Sequence, residues 1–343
     1  MKLDKLKQTI QEYFQEDTVT IVGSGLSSAE GLPGMKALSA KLMEDMPQHL
    51  SQETDLSQWS EIRKELRSGK GLEKVLHHFN PSLLVEQSIQ AITAQYIRDE
   101  ETKIITQVIT NGRVLRFSEY LDHFTIRSAG LTVITTNYDR LIEYACEYRQ
   151  IEVDTLFRGT FYAHFSPETS QYAFCNGLAK VRRKQRVINY CPKVTVLKPH
   201  GSLNWYMIHE RPYLIPGYES DDCLIITPGI NKYKEGYNIP FDTHRGKANH
   251  SIDLAPRYII IGYGFNDDHL ETHLVQQLKD GKPALIITHS VSSKTIQLIA
   301  ECKNIIAICA DGAKNSRVIT WEENELIKGV NMWDLREMLR EVF

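Results

Sequence analysis

Asn137 and Asp139 follow the apolar run Leu131-Thr-Val-Ile-Thr-Thr136, and His200 follows Val194-Thr-Val-Leu197. An amide can orient water or a sugar hydroxyl through its carbonyl oxygen. A neutral imidazole can take a proton, which is typically worth roughly 10²–10⁴-fold in rate. Two glycine turns accompany these groups. Val19 to Val22 leads into Gly23-Ser24-Gly25 and the small residues Ser27, Ser28 and Ala29, and Arg257-Tyr-Ile-Ile-Ile261 leads into Gly262-Tyr-Gly-Phe-Asn-Asp267. A strand that passes through a glycine turn into a helix start offers backbone N–H groups to a phosphate. Gly23 and Gly25 permit the close approach such a turn needs. Each feature also has a plain structural reading: Asn137 or Asp139 as a helix cap, His200 as a turn residue, the glycines as packing turns. Together and in this order, they point to a nucleotide site at the carboxyl ends of strands.

The turn at 23–25 does not match the usual dinucleotide fingerprint. Ser28 stands where a third Gly or Ala belongs, and the acidic residue expected about 20 positions on falls at Asp45, in what reads as a helix end. An ordinary NAD-dependent dehydrogenase is therefore disfavoured.

The elements that must position these groups read as α/β. Strands are expected at 19–22, 131–136, 194–197, 224–227, 257–261, 284–288 and 305–310, the last three alternating with helices at 269–279 and 293–301. Their continuous apolar runs are those of strands buried on both faces, and the alternation is that of a Rossmann-like doubly wound, mostly parallel sheet. A short amphipathic helix is expected at 3–16 and others at 38–46 and 141–148. Trp59, Ile62 and Leu66, then Ile89, Ile92 and Tyr96, repeat helical spacing, with a break at Asn80-Pro81. Nearly fifty helical residues are too many for a simple crossover, so about 50–125 reads as a helical insertion. The sequence thus divides into one domain over 1–320, with that insertion and an irregular segment at about 150–255, and a C-terminal helix over 321–343. Met332, Leu335, Leu339 and Val342 share a face of that helix, which suits an oligomer or partner contact.

A chain of 343 residues can bury a substantial core, and its 42% hydrophobic and 24% charged residues are those of an average globular protein. The net charge of −3 makes no case for nucleic acid or an anionic membrane. No apolar run approaches the ~20 residues of a membrane span, and the N-terminus lacks a signal peptide's apolar core, so a cytoplasmic protein is expected. The six cysteines contain no CxxC pair and read as reduced, mostly buried residues. No zinc site or other metal site is expected from them.

The ordered set of motifs resembles the sirtuin-like NAD-binding family, in particular its divergent bacterial branch found in antiphage defence. Gly23-Ser-Gly-Leu-Ser27 resembles the Gly-Ala-Gly-x-Ser loop, and Gly31-Leu-Pro-Gly-Met-Lys36 its Gly-Ile-Pro-Asp-Phe-Arg continuation. Thr136-Asn-Tyr-Asp139 is similar to the Gln-Asn-x-Asp motif, His200-Gly201 to the catalytic His-Gly, and Gly262-Tyr-Gly-Phe-Asn-Asp267 to the ribose-binding Gly-Thr-Ser turn. Asp311-Gly312 would add an adenine-side loop. The resemblance implies NAD⁺ contacts at Gly23, Ser24, Gly25, Ser27, Pro33, Met35, Thr136, Gly201, Gly262, Gly264, Phe265, Asn266 and Asp311. The four zinc cysteines of sirtuin deacylases are missing, and Gly34, Met35 and Lys36 replace Asp, Phe and Arg.

In NAD⁺ the bond at issue joins a pyridinium to ribose, so nicotinamide leaves neutral and needs no general acid, unlike ordinary glycoside hydrolysis with its two carboxyl groups. The resemblance therefore implies hydrolysis of NAD⁺ to nicotinamide and ADP-ribose. Asn137 would position water and ribose, His200 would act as base, and Asp139 would orient both. NAD⁺ would be substrate, with no further cofactor. Such an activity needs restraint, so the expectation includes a homo-oligomer and a separate activating protein, such as a HerA-like hexameric ATPase. The alternatives are an NAD-dependent protein deacylase and a non-catalytic NAD or ADP-ribose sensor. Two stretches are set aside. His269-Leu-Glu-Thr-His273 lacks the Glu that follows the first His of a zincin and reads as a solvated helix face. Lys180-Val-Arg-Arg-Lys-Gln-Arg186 reads as a basic surface hairpin, with no direct nucleic-acid contact expected.

Overall fold

The computed structural model describes residues 3–126, 130–182, 185–228, 238–265 and 267–343. Strands occur in chain order as β1 (Val19–Val22), β2 (Leu131–Thr135), β3 (Glu152–Asp154), β4 (Phe157–Arg158), β5 (Ala163–Phe165), β6 (Cys175–Arg182), β7 (Gln185–Tyr190) and β8 (Lys193–Leu197). They continue as β9 (Gly201–Ile208), β10 (Arg211–Leu214), β11 (Cys223–Ile225), β12 (Tyr258–Ile261), β13 (Ala284–Ile287), β14 (Ile305–Ala310), β15 (Asn315–Ile319) and β16 (Asn324–Lys328). Nine of them form the main sheet in the order β16-β15-β14-β13-β12-β1-β2-β8-β3. From β14 to β3 every pairing is parallel, and β15 and β16 add an antiparallel edge. This is the expected Rossmann-like doubly wound sheet. Strand order reverses at β1, which lies between β12 on one side and β2 on the other.

The apolar runs form these strands because both faces of the sheet are covered. Ile21, Ile134, Ile260 and Ile286 point into one core with α9 (Phe241–Leu254), α10 (Asp268–Lys279) and α11 (Ser293–Glu301). Val22, Val133, Ile259, Ile261 and Ile287 point into the other. There they meet α1 (Leu3–Gln11), α7 (Arg116–Leu121), α8 (Leu141–Tyr148) and α12 (Leu335–Val342). Alternate side chains thus leave the strand in opposite directions and both directions are dry.

Between β1 and β2 the chain runs through α2 (Ser24–Glu30), α3 (Met35–His49), α4 (Glu53–Arg67), α5 (Leu72–His78) and α6 (Leu83–Asn111). Helices α3 to α6 enclose a core of their own around Leu42, Met46, Trp59, Ile62, Leu76 and Ile89. Ser82 caps α6 by accepting from the Val85 N–H at 3.3 Å, and Gly112, in the left-handed region, closes its far end after 29 residues.

Three regions differ from the sequence reading. The stretch read as irregular contains, besides the expected hairpin β6–β7, a second sheet, β11-β9-β10-β5-β4. Short strands broken by turns and aromatic residues show too little period-2 pattern to be seen in advance. The first helix stops at Gln11 rather than residue 16, because the Thr18 hydroxyl donates to Tyr13 O at 2.6 Å and closes a turn. Residues 321–343 are not one helix: β16 comes first, and α12 begins only after Asp334, whose carboxylate accepts from the Arg336 and Glu337 N–H groups. The apolar face of α12 is spent within this chain, with Leu335, Met338, Leu339 and Val342 buried against α1 and α7. Gln11 Nε2 donates to Val342 O at 2.6 Å, and Lys7 pairs with Glu341 at 2.9 Å. Any partner would have to meet its other face.

Candidate active site

The four neighbouring strands β12, β1, β2 and β8 end together, and a cleft opens over their carboxyl ends. Its space, including solvent at the mouth, is about 1120 Å³. Of the residues expected to form a site, Gly23, Ser24, Ser27, Pro33, Met35, Thr136, Asn137, Asp139, His200 and Gly264 line it. A cleft over strand ends at the reversal of strand order is where ligands enter open α/β sheets.

Asn137 is fixed from several sides. Its Nδ2 donates to Gly23 O at 3.0 Å and to Ser27 Oγ at 2.8 Å, and its backbone N–H donates to Thr135 Oγ1 at 3.1 Å. The carbonyl Oδ1 is the amide's remaining group. Ser27 passes the restraint on by donating to Asp139 Oδ2 at 2.7 Å, while Asp139 Oδ1 accepts from the Leu141 N–H at 3.2 Å and starts α8. The Ser27 hydroxyl therefore links the amide to the carboxylate. Burial pushes the Asp139 carboxyl up to about 6, against the opposing pull of the Lys198 ammonium. Lys198, wholly buried, donates its Nζ to Asp139 O and, at 3.0 Å, to Glu143 Oε1. It ties the end of β8 to the loop that carries Asn137. From the helical insertion, Glu101 of α6 accepts from the backbone N–H and guanidinium of Arg140.

The two glycine turns interlock. A Cβ on Gly23 would lie 2.5 Å from Gly262 O, one on Gly25 2.6 Å from Gly262 Cα, and one on Gly262 2.6 Å from Gly25 Cα. The N–H groups of Gly23 and Gly25 donate to Ile261 O and Gly262 O, both at 2.9 Å. These two glycines thus supply close packing of the β1 and β12 turns, and their N–H groups are already used.

His200 lines another part of the cleft wall. Its Nε2 lies 2.5 Å from Asp267 Oδ2. The next residue, Gly201, has φ +85° and carries its backbone against Leu224 O, 2.0 Å from where a Cβ would be, so only glycine turns the chain here into β9. Behind the loop, His244 Nδ1 accepts from the Lys198 N–H at 3.2 Å, and its ring packs 4.6 Å from Trp205. Burial, with the charges of Lys198 and Lys247, drives the His244 pKa down to about 3, so this imidazole is neutral.

Other expected positions lie elsewhere. Gly25, Gly201 and Gly262 shape the turns without lining the cleft. Phe265 is buried in the core beside Tyr263, their rings 5.3 Å apart. Asp311 follows β14, two strands beyond β12, and pairs with Arg317. Asn266 lies outside the described residues. The sequence reading missed Asp267, Lys198 and Glu73, the last a lining residue from α5. Asp267 could have been singled out, because it ends the same polar turn that follows β12. Lys198 carried no signal apart from its place beside Pro199-His200.

His273 pairs with Asp253 at 3.0 Å on the surface; the side chain of His269 lies outside the described residues. So do the side chains of Lys180 to Arg186, while β6 and β7 pair antiparallel on either side of the expected hairpin turn. Among the described residues no group of three or more His, Cys, Asp or Glu is placed to hold a metal ion. No helix among them is long and apolar enough to cross a membrane. Cys146, Cys223, Cys302 and Cys309 are buried, Cys175 is exposed, and all six cysteines are free.

Residues 131–308 match the family model described as a SIR2-like domain. Solved structures similar to the chain include "The Structural basis of Sirtuin Substrate Affinity", 13% identical over 100% of this chain and 98% of that one, with a TM-score of 0.46. Another is "Crystal structure of a SIR2 homolog-NAD complex", 13% identical over 100% and 94%, with a TM-score of 0.45. A third is "Structural Basis for the Mechanism and Regulation of Sir2 Enzymes", 10% identical over 99% and 96%, with a TM-score of 0.42. No curated protein sequence matches the chain.

Proposed function

Because this chain belongs to the SIR2-like family, which supports an NAD-dependent activity, we propose that it hydrolyses NAD⁺ to nicotinamide and ADP-ribose. The observation that carries the reading is the meeting of an amide, an imidazole and a glycine turn in one cleft, delivered by four adjacent strand ends. Asn137, its Nδ2 engaged with Gly23 and Ser27, presents its carbonyl oxygen to a hydroxyl or water. His200 takes the water's proton. As the C1′–N bond breaks, its electron pair leaves on nicotinamide, the water oxygen bonds C1′, and the proton passes to solvent. The carboxylate of Asp139 faces the cationic ribose of the transition state across a partly dry cleft, where such fields act strongly. The diphosphate is assigned to Ser24 and its neighbours at the cleft wall, since Gly23 and Gly25 have committed their N–H groups.

The same reading assigns the protein to antiphage defence, as an effector that depletes NAD⁺ when a separate protein, such as a hexameric HerA-like ATPase, engages it, and as a homo-oligomer. The test is incubation with NAD⁺ alone, with an acylated peptide, and with proteins encoded beside it, following nicotinamide by chromatography. Equal amounts of nicotinamide and ADP-ribose without peptide, lost in Asn137→Ala and His200→Ala, are expected. Release that requires the peptide would instead establish a deacylase. Binding without turnover under every condition would establish a sensor.

A further inference from the structure

His200 and Asp267 come from opposite ends of the cleft. His200 follows β8 and Asp267 follows β12, with β1 and β2 between them, yet Nε2 and Oδ2 meet at 2.5 Å. Asp267 is buried, and its other contacts hold it still. Its Oδ1 accepts from the Leu270 N–H at 3.2 Å, and its backbone N–H donates to Glu271 Oε1 at 2.7 Å, both in the first turn of α10. The start of a helix favours the ionised form of such a carboxylate, and an ionised carboxylate accepts only, with no proton to give the ring. The ring nitrogen facing it must be the one that carries hydrogen, and the other is then the lone-pair nitrogen.

We propose that Asp267 is the positioning residue of His200: it takes the Nε2–H, fixes that tautomer, and leaves Nδ1 to receive the proton during NAD⁺ cleavage. The inference rests on His200 being the base in the reading above. In the step, the attacking water loses its proton to Nδ1 as its oxygen bonds C1′, and the imidazolium is held by the unprotonated Asp267 carboxylate. The ring then returns the proton to solvent. A carboxylate behind a catalytic imidazole does this work in serine hydrolases, where its loss leaves the geometry but the wrong tautomer.

Asp267→Asn is the variant of choice, because asparagine keeps the size and can still cap α10. Its kcat should fall by about 10²-fold or more, with the dissociation constant of a non-hydrolysable carbocyclic NAD⁺ analogue and the melting temperature little changed. In a His200→Ala background the same substitution should cost less than about twofold, since groups that act as a unit are not additive. Equal losses in both backgrounds, an unchanged kcat, or a rise in turnover would each overturn the proposal; a rise would mean that Asp267 blocks the ring. A second measurement does not need turnover. In ¹⁵N-histidine-labelled protein, the His200 resonances, identified by their loss in His200→Ala, should report hydrogen on Nε2 in the wild type and a shift away from that tautomer in Asp267→Asn. Hydrogen on Nδ1 in the wild type refutes the pairing. A chain that never cleaves NAD⁺ but shows the Nε2–H tautomer refutes the hydrolase reading and leaves the pairing standing as a structural one.

Discussion

The two walls of the cleft are held by different means. On one, Asn137 is bound through Gly23, Ser27 and Thr135, and the network continues through Asp139 to the buried Lys198 and Glu143. On the other, among the described residues, the His200 ring has a single polar partner, Asp267. The first wall is over-determined: removing one member leaves others to hold the amide. The second depends on one contact that spans the mouths of two intervening strands. The proposed hydrolysis suits this division, since in it the amide never changes state and the imidazole does.

The largest effects should come from the reacting groups themselves. Asn137→Ala should lower NAD⁺ turnover by roughly 10³-fold and His200→Ala by about 10²–10⁴-fold, both read as nicotinamide release. A residual rate within about tenfold of wild type would remove that residue from the chemistry. Next comes Lys198→Met, which strands Asp139 O and Glu143 in a buried setting. Breaking such a pair costs about 3–5 kcal/mol, measurable by urea unfolding, while turnover should fall far less, because Gly23, Ser27 and Thr135 still hold Asn137. If stability holds, the braced wall does not need its cation.

The pH dependence should then divide the walls. Asp139 has a raised pKa in the folded state, so its contribution is full below the ordinary 3.8 and is lost as pH rises through about 6. Relative to Asp139→Asn, the wild type should lose a few kcal/mol between pH 4 and 7, on the order of two pKa units. His244 has the opposite sign. Its folded pKa lies below the ordinary 6.5, so its contribution is full above that value and declines as pH falls toward 3. His244→Gln, which keeps an acceptor for the Lys198 N–H, should abolish that acid-side loss. Denaturation followed from pH 4 to 8 reads both slopes, and a common sign for the two variants would contradict the burial argument. Smallest of all, His273→Ala should change stability by less than about 0.5 kcal/mol, as an exposed pair does, and leave turnover intact.

The main sheet was legible because strands such as Tyr258–Ile261 and Ala284–Ile287 are dry on both faces and so read as unbroken apolar runs. Helices α8 and α11 fall where helical runs were read, at 141–148 and 293–301. The candidate site was legible wherever a polar residue ended such a run, which brought Asn137, Asp139 and His200 into view. Lys198 and Asp267 escaped because their importance is a matter of distance between separate strand ends, which no local pattern encodes. Ser27 was visible as an expected NAD⁺ contact, but its second part, joining Asn137 to Asp139 through its hydroxyl, was not. The second sheet and the β15–β16 edge were hidden because half-exposed short strands carry little periodic signal.

The meeting of Gly23 and Gly25 with Gly262 has one more consequence. Clashes between side chains can be relieved by trimming the neighbour, but here both faces are bare backbone and nothing is left to trim. A genetic screen starting from an alanine at any of the three should therefore yield no compensating change at the other two, so the turns can drift in sequence around these positions but not through them.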